Sequence, residues 1–185
     1  MLVYDPLPSI LSVEGMISET EAAALFRLAR EATGAIVEIG SYRGRSTVAL
    51  ALGSRMGKGY PVYAIDPHET FTEPGGFHFG RADAVAFMQN VVEADVADLV
   101  RVVQLPASAV ALDESIGLLW IDGDHEAALR DFRQFAWKIP LGGRVAFHDR
   151  HLEGVKAAIT QAEWDCGTPD DYFDCIAAHR VAETA

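Results

Sequence analysis

Positive charge is scarce in this chain. Only 15 lysines and arginines stand against 27 aspartates and glutamates, for a net charge of −12. A surface of that sign repels phosphate backbones and anionic headgroups, so nucleic acid and acidic membranes are excluded as partners. Arg43, Arg45, Arg55 and Lys58 form the one basic cluster, and it reads as solvated surface charge. Long apolar runs are missing too, and nothing approaches the roughly 20 residues that a membrane helix needs. The opening Met-Leu-Val-Tyr-Asp-Pro has neither the basic region nor the apolar run of a signal peptide. A cytoplasmic location is therefore expected. Cysteine is almost absent, and the spacing of Cys166 and Cys175 fits no zinc pattern. Free, buried thiols are expected rather than a disulfide. No repeat and no low-complexity segment interrupts the chain. With 185 residues, 50% of them apolar and 23% charged, it suits one soluble domain with a sizeable core.

Strand and helix patterns alternate. Residues 1–17, with Pro6, Pro8 and Gly15, show no period and read as an irregular N-terminal arm. Ser18-Glu-Thr-Glu21 is a capping box that opens a helix to Ala32, with Ala22, Leu25, Phe26 and Ala29 on one face. Ala35–Ile39 is an apolar, β-branched strand of the kind buried on both faces. Further strands are expected over Pro61–Ile65, Val100–Leu105, Leu118–Ile121 and Arg144–Phe147. Helices are expected over Ser46–Gly53, Arg81–Ala94, Glu126–Trp137 and Leu152–Gln161, with a short helical turn at Ser108–Leu112. Trp164 to Val181 reads as a closing hairpin around Thr168-Pro-Asp-Asp171. Strictly alternating strand and helix imply a parallel sheet covered by helices on both faces, and the hairpin adds an antiparallel edge. The stretch His68–Gly80 fits no element. It is long, rich in aromatics and histidine, and follows a strand's carboxyl end, where loops tend to be functional.

The most informative run is Ala35-Ile-Val-Glu-Ile-Gly-Ser-Tyr-Arg-Gly-Arg-Ser-Thr47. A buried strand stops at a glycine turn and a helix begins, which places backbone N–H groups where open α/β folds bind cofactors. The turn lacks the Gly-x-Gly-x-x-Gly of dinucleotide sites. Tyr42 stands where the second glycine would admit a pyrophosphate, so a nicotinamide reductase is disfavoured. Asp66, ending the second strand, is placed to accept hydrogen bonds from ribose hydroxyls. A nucleoside cofactor without a diphosphate satisfies both observations.

These features, Glu38-Ile-Gly-Ser-Tyr-x-Gly-x-Ser-Thr47, Asp66, Trp120-Ile-Asp-Gly-Asp-His125 and Leu141-Gly-Gly-x-Val-x-Phe-His-Asp149, stand in order, each at a strand end. Together they resemble a class I S-adenosylmethionine-dependent methyltransferase. Within that class the likeness is to the small-molecule O-methyltransferase group with Ile-Asp-Gly-Asp-His and His-Asp motifs. That group is related to antibiotic-tailoring sugar O-methyltransferases and to cephalosporin hydroxylase. The resemblance implies an α/β, Rossmann-like, doubly wound and mostly parallel seven-stranded sheet with a C-terminal antiparallel hairpin. Residues 18–185 would form the single methyltransferase domain. It implies S-adenosylmethionine as cofactor, with Glu38, Gly40, Ser41, Tyr42 and Gly44 along its methionine part and Ser46 beside them. Asp66 and Pro67 would meet the ribose, Ser108 would border the adenine, and Asp122 would lie near the sulfonium and the acceptor.

Asp122, Asp124, His125, His148 and Asp149 follow two adjacent strands, and two readings of them stand side by side. In one, Asp122, His148 and Asp149 hold a divalent metal, magnesium, manganese or iron, against a hydroxyl substrate. A histidine in that set suits manganese, iron or zinc better than magnesium. In the other, no metal binds, and His125 or His148 takes the hydroxyl proton with a carboxylate orienting the ring. His151 and His179 read as surface residues. Phe77 and Phe79 would wall the acceptor, with His68, Glu69 and His78 as polar contacts. Tyr4 and the arm would supply a second lid or a dimer contact, and the terminal hairpin offers another route to a homodimer. The resulting expectation is O-methylation of a small-molecule hydroxyl. The alternatives are a metal-dependent oxidative enzyme on the same scaffold and a cofactor-binding module without turnover.

Overall fold

The computed structural model describes residues 5–72 and 76–182. Leu7–Leu11 forms a short helix, α1, and Glu19–Arg30 forms α2. The capping box closes as the sequence implies: the Ser18 hydroxyl accepts from the Glu21 amide at 3.2 Å, and Glu21 accepts from the Ser18 amide at 2.8 Å. The next elements are β1 (Ala35–Ile39), α3 (Arg45–Met56) and β2 (Val62–Ile65). A two-stranded ribbon of β3 (Phe71–Thr72) and β4 (His78–Phe79) precedes α4 (Arg81–Glu93) and β5 (Val100–Val103). The chain continues through β6 (Ile116–Ile121), α5 (Ala128–Phe135), β7 (Arg144–Phe147) and α6 (Glu153–Cys166). It ends in β8 (Asp171–Phe173) and β9 (Ile176–Arg180).

Seven strands make one sheet in the order β5-β2-β1-β6-β7-β9-β8. The first five run parallel, and β9 pairs antiparallel with β7 on one side and β8 on the other. This is the Rossmann-like, doubly wound sheet with an antiparallel hairpin at its end. Side chains alternate across each strand. Ile36 and Val62 therefore join α1, α2 and α3 in one core, while Val37 and Ile39 join α5 and α6 in the other. The strand order reverses between β1 and β6, and the crevice beyond their carboxyl ends is the binding position of such sheets.

Four expectations need correction. The N-terminal arm is partly helical, and Ile10, Val13 and Ile17 are buried in the α2–α3 core; Tyr4 lies outside the described residues. The arginines are not simply solvated: Arg45 donates to the Val13 and Ile17 carbonyls at 2.7 and 2.8 Å, tying that arm down. The terminal hairpin turns at Asp174-Cys175, not at residues 168–171, because α6 runs on through Trp164 to Cys166 and Gly167, at φ +94°, ends it. His68–Gly80 contains the ribbon, in which Phe71 pairs with Phe79 and Thr72 with His78; residues 73–75 lie outside the described set. Among the described residues no helix is long and apolar enough to cross a membrane.

Candidate active site

Parallel pairing sets the ends of β1 and β6 level, with Ile39 beside Ile121, so the Gly40 and Asp122 turns meet. They meet closely. Gly40 sits at φ +85°, and a Cβ there would lie 2.3 Å from the Asp122 carbonyl oxygen. Gly44, at φ +93°, then caps α3. The turn between them is held by Asp66 at the end of β2. One Asp66 oxygen accepts from the Ser41 and Tyr42 amides, both at 2.9 Å, and the other accepts from the His68 amide at 2.8 Å. His68 closes the loop, with Nε2 2.8 Å from the Tyr42 carbonyl and its ring 5.7 Å from that of Phe87. His68 is buried and links the two turns instead of facing an acceptor. Tyr42 and His68 both hold positive φ, +46° and +47°, a strain that side chains rarely carry without surrounding constraint.

Two buried polar atoms at this turn have no protein partner, Glu38 Oε1 and Ser41 Oγ. Glu38 is completely buried, and its other oxygen accepts from the Thr47 hydroxyl. Burial pushes its carboxyl up to about 8; the Ser46 and Thr47 hydroxyls pull it down, and the Asp122 and Asp66 charges add to the rise. A buried carboxylate without a full set of partners is costly, and a ligand ammonium or amide would relieve that cost. Ser46 is buried on α3 beside Glu38, Pro67 is exposed next to Asp66, and Ser108 is exposed in the 3-10 turn Ala107–Ala109 after β5. Pro106 caps that turn, so Ser108 is not its cap residue.

The second half of the site is the rim after β6 and β7. His148 is buried, with Nδ1 3.0 Å from Asp122 and 3.3 Å from Asp149, and Nε2 3.3 Å from Glu21. None of these contacts meets hydrogen-bond geometry, and the ring stands among three carboxylates. Burial alone would lower His148, but the flanking Asp122 and Glu21 carboxylates push it up to about 11. Glu21 moves the opposite way: burial raises it, but His148 and the Ser18 and Cys175 amides bring it down to about 2. Burial pushes Asp122 up, against the pull of His148. His125 Nε2 lies 3.0 Å from Asp149, which itself sits at φ +49°. Asp124 faces away and caps the following 3-10 turn by accepting from the Glu126 amide at 3.1 Å.

Asp122, His148 and Asp149 thus converge, with one ligand atom from each lying within 4.8 Å of the others. The mixed nitrogen and oxygen set suits a manganese- or iron-class ion. Glu21 behind the far ring nitrogen is the carboxylate backing that metal-bound histidines usually have. The residues therefore fit a metal, which would have to displace the His148 proton.

Sequence reasoning finds Glu21 only as a cap residue and misses its place at the rim. Its helical spacing to Leu25 and Leu28, both buried, was the available signal. His179, expected at the surface, is fully buried under α6, with Nδ1 2.9 Å from the Gly167 carbonyl, and burial pulls it down. His78 sits on the exposed ribbon 2.8 Å from the Thr72 hydroxyl. Phe77 and Phe79 do gather over the glycine turn, with ring centres 6.0 and 5.4 Å from Tyr42.

Solved structures of the same shape include the O-methyltransferase NovP, 16% identical with a TM-score of 0.74, over 91% of this chain and 82% of that one. The O-methyltransferase TomG from Streptomyces achromogenes, solved with SAM, is 18% identical with a TM-score of 0.66, over 90% and 82%. An O-methyltransferase from Bacillus cereus, solved with SAH, is 16% identical with a TM-score of 0.68, over 97% and 93%. At such identities the likeness is one of fold. Family membership rests on sequence: the profile of a methyltransferase domain family matches residues 37–150, which hold the glycine turn, Asp66 and the acid–histidine rim. As its motifs implied, the chain belongs to that methyltransferase family.

Proposed function

We propose that the protein transfers a methyl group from S-adenosylmethionine to a hydroxyl oxygen of a small molecule. The observation that carries this reading is the meeting of two half-sites at one sheet edge. One is the Gly40–Gly44 turn with unpartnered Glu38 Oε1 and Ser41 Oγ, and the other is the Asp122–His148–Asp149–His125 rim. When bound, the cofactor supplies an already activated methyl group, so the protein's task is to place and deprotonate the acceptor. Glu38 and Ser41 hold the amino acid end, and Asp66 orders the turn with three of its lone pairs while presenting the remaining one to a ribose. The similar O-methyltransferase structures support the same acceptor chemistry. Neither the family match nor those structures favour the oxidative or the non-catalytic alternative.

His125 is the better base. With its Nε2–H donated to Asp149, Nδ1 keeps a lone pair for the acceptor proton, and Asp149 stabilises the imidazolium that forms. Without a metal, the flanking carboxylates favour the protonated His148 ring, which sits between Asp122 and Asp149. A divalent cation held by Asp122, His148 and Asp149 belongs to the same proposal. It would supply a Lewis acid that lowers the acceptor hydroxyl's pKa. A cytoplasmic setting fits the two free cysteines, and a homodimer remains part of the reading.

The test is calorimetric titration of metal-stripped protein with S-adenosylmethionine, with and without manganese, beside Glu38→Gln and Asp122→Asn. Binding lost in Glu38→Gln, and manganese-dependent heat lost in Asp122→Asn, are the expected results. Absence of binding to the wild-type protein in every condition would overturn the reading.

A further inference from the structure

A second set of metal-binding side chains stands beside the rim. Cys175, His151 and Asp149 each offer one ligand atom, and the three atoms lie within 4.8 Å of one another. The sheet register brings them together. In the antiparallel β7–β9 pair, Phe147 lies across from Ala177. Continuing that register two residues past β7 sets Asp149 opposite Cys175, and His151 follows on the same turn. The two turns are fastened to each other. The Arg150 amide donates to the Cys175 carbonyl at 3.1 Å, and Arg150 Nε donates to the Asp174 carbonyl at 3.0 Å. The Cys175 amide donates to buried Glu21 at 3.0 Å. Cys175 forms no disulfide and is only half-buried, and His151 is exposed, so both side chains can turn toward a common point.

We propose that Asp149, His151 and Cys175 form a second metal site, for a divalent cation of the zinc class. The donors decide the ion. A thiolate and an imidazole favour zinc over magnesium or calcium, which take oxygen ligands. Donors around a tetrahedral zinc stand roughly 3.3–3.7 Å apart, so the side chains need to close by no more than about an ångström when the ion binds. Binding releases the thiol proton to solvent. Three protein ligands leave a position open to water. The site shares Asp149 with the rim, where the same carboxylate lies 3.0 Å from His125 and 3.3 Å from His148. An ion here therefore draws on the group that orients the proposed base, which makes the site a route for zinc to inhibit the enzyme. The binding step does not depend on the methyltransferase reading.

Cobalt(II) is the probe, titrated into the reduced, metal-stripped, full-length protein and followed by absorption. A thiolate ligand gives a near-ultraviolet charge-transfer band, and a tetrahedral site gives visible bands. The expected result is a saturable band that zinc abolishes by displacing cobalt. Cys175→Ser should remove it and His151→Ala should weaken cobalt binding by about tenfold or more. The band should persist in Cys166→Ser and in Asp122→Asn, with folding of each variant checked by circular dichroism. No band in the wild-type protein, or a band that survives Cys175→Ser, would overturn the proposal. So would visible bands that appear without the near-ultraviolet band and are lost in Asp122→Asn, which would assign the ion to the thiol-free Asp122–His148–Asp149 set.

Discussion

Gly40 carries two constraints at once, a left-handed backbone and the carbonyl of Asp122 where a Cβ would stand. Gly142 offers a control, since it has nearly the same φ, +82°, with open space around it. A left-handed non-glycine residue costs about 1–2 kcal/mol, and that is the loss expected for Gly142→Ala in urea denaturation. Gly40→Ala should lose clearly more, because β1 and β6 must move apart to admit the methyl group. Equal losses in the two variants would show that the close approach of the turns relaxes without cost. The sequence marked Gly40 as a cofactor residue, whereas the structure shows that the glycine is required before any ligand enters. Asp66 follows the same pattern. Its three amide contacts make it a brace for the site as well as a ribose candidate.

Two elements outside the seven-stranded sheet differ in how firmly they are fastened to the body. The first is α1 with the segment after it. Ile10 is completely buried, and truncating a side chain of that size in a core costs about 2–5 kcal/mol. Ile10→Ala should therefore shift the denaturation midpoint strongly with an unchanged slope; a detachable arm would leave it where it is. The second is the β3–β4 ribbon, which touches the body through Phe77 and Phe79 on Tyr42. Edge-to-face pairs of this kind contribute about 0.5–1.5 kcal/mol. Phe79→Ala is expected to raise the acceptor KM several-fold while the cofactor Kd and the melting temperature stay nearly constant, because Phe71 and Phe77 on the ribbon are already exposed. A large fall in melting temperature would make the ribbon part of the core rather than a cover.

At the scale of the whole molecule, the buried charges set how stability responds to pH. Glu21, lowered to about 2, contributes stability above its ordinary 4.5 that is lost as pH falls through 2. His148, raised to about 11, contributes stability fully present below 6.5 that is lost as pH rises toward 11. Glu38, raised to about 8, has the sign of an unfavourable burial. The folded state holds a proton that the unfolded chain releases between 4.5 and 8, so stability declines across that window. The fold should be most stable in weak acid. Glu38→Gln should flatten the decline and gain up to a few kcal/mol at pH 8. Urea titrations at pH 5 and pH 8 would show it, and a wild-type slope retained in the variant would remove Glu38 as its source. Gained stability with lost cofactor binding is the trade expected of a site residue.

Much of this was legible in the sequence, because local chemistry dictates it. The β-branched run at Ala35–Ile39, the short Arg144–Phe147 segment behind Gly142-Gly143, the Ser18 capping box and the alternation of strands with helices fix the elements. Alternation in turn requires a parallel sheet, whose strand ends must share one edge. Gly40, Asp66, Asp122 and Asp149 are legible because each stands just past a strand, and Glu38 because it is an acid inside a buried one. The rest depends on partners distant in the chain. Glu21 reaches His148 only because α2 packs across the rim, and His179 is buried only because α6 lies over β9. Cys175 meets Asp149 only through the antiparallel register of β7 and β9. Spacing along a chain reports which face a residue shares with its neighbours; which charges meet across the sheet is set when the layers pack.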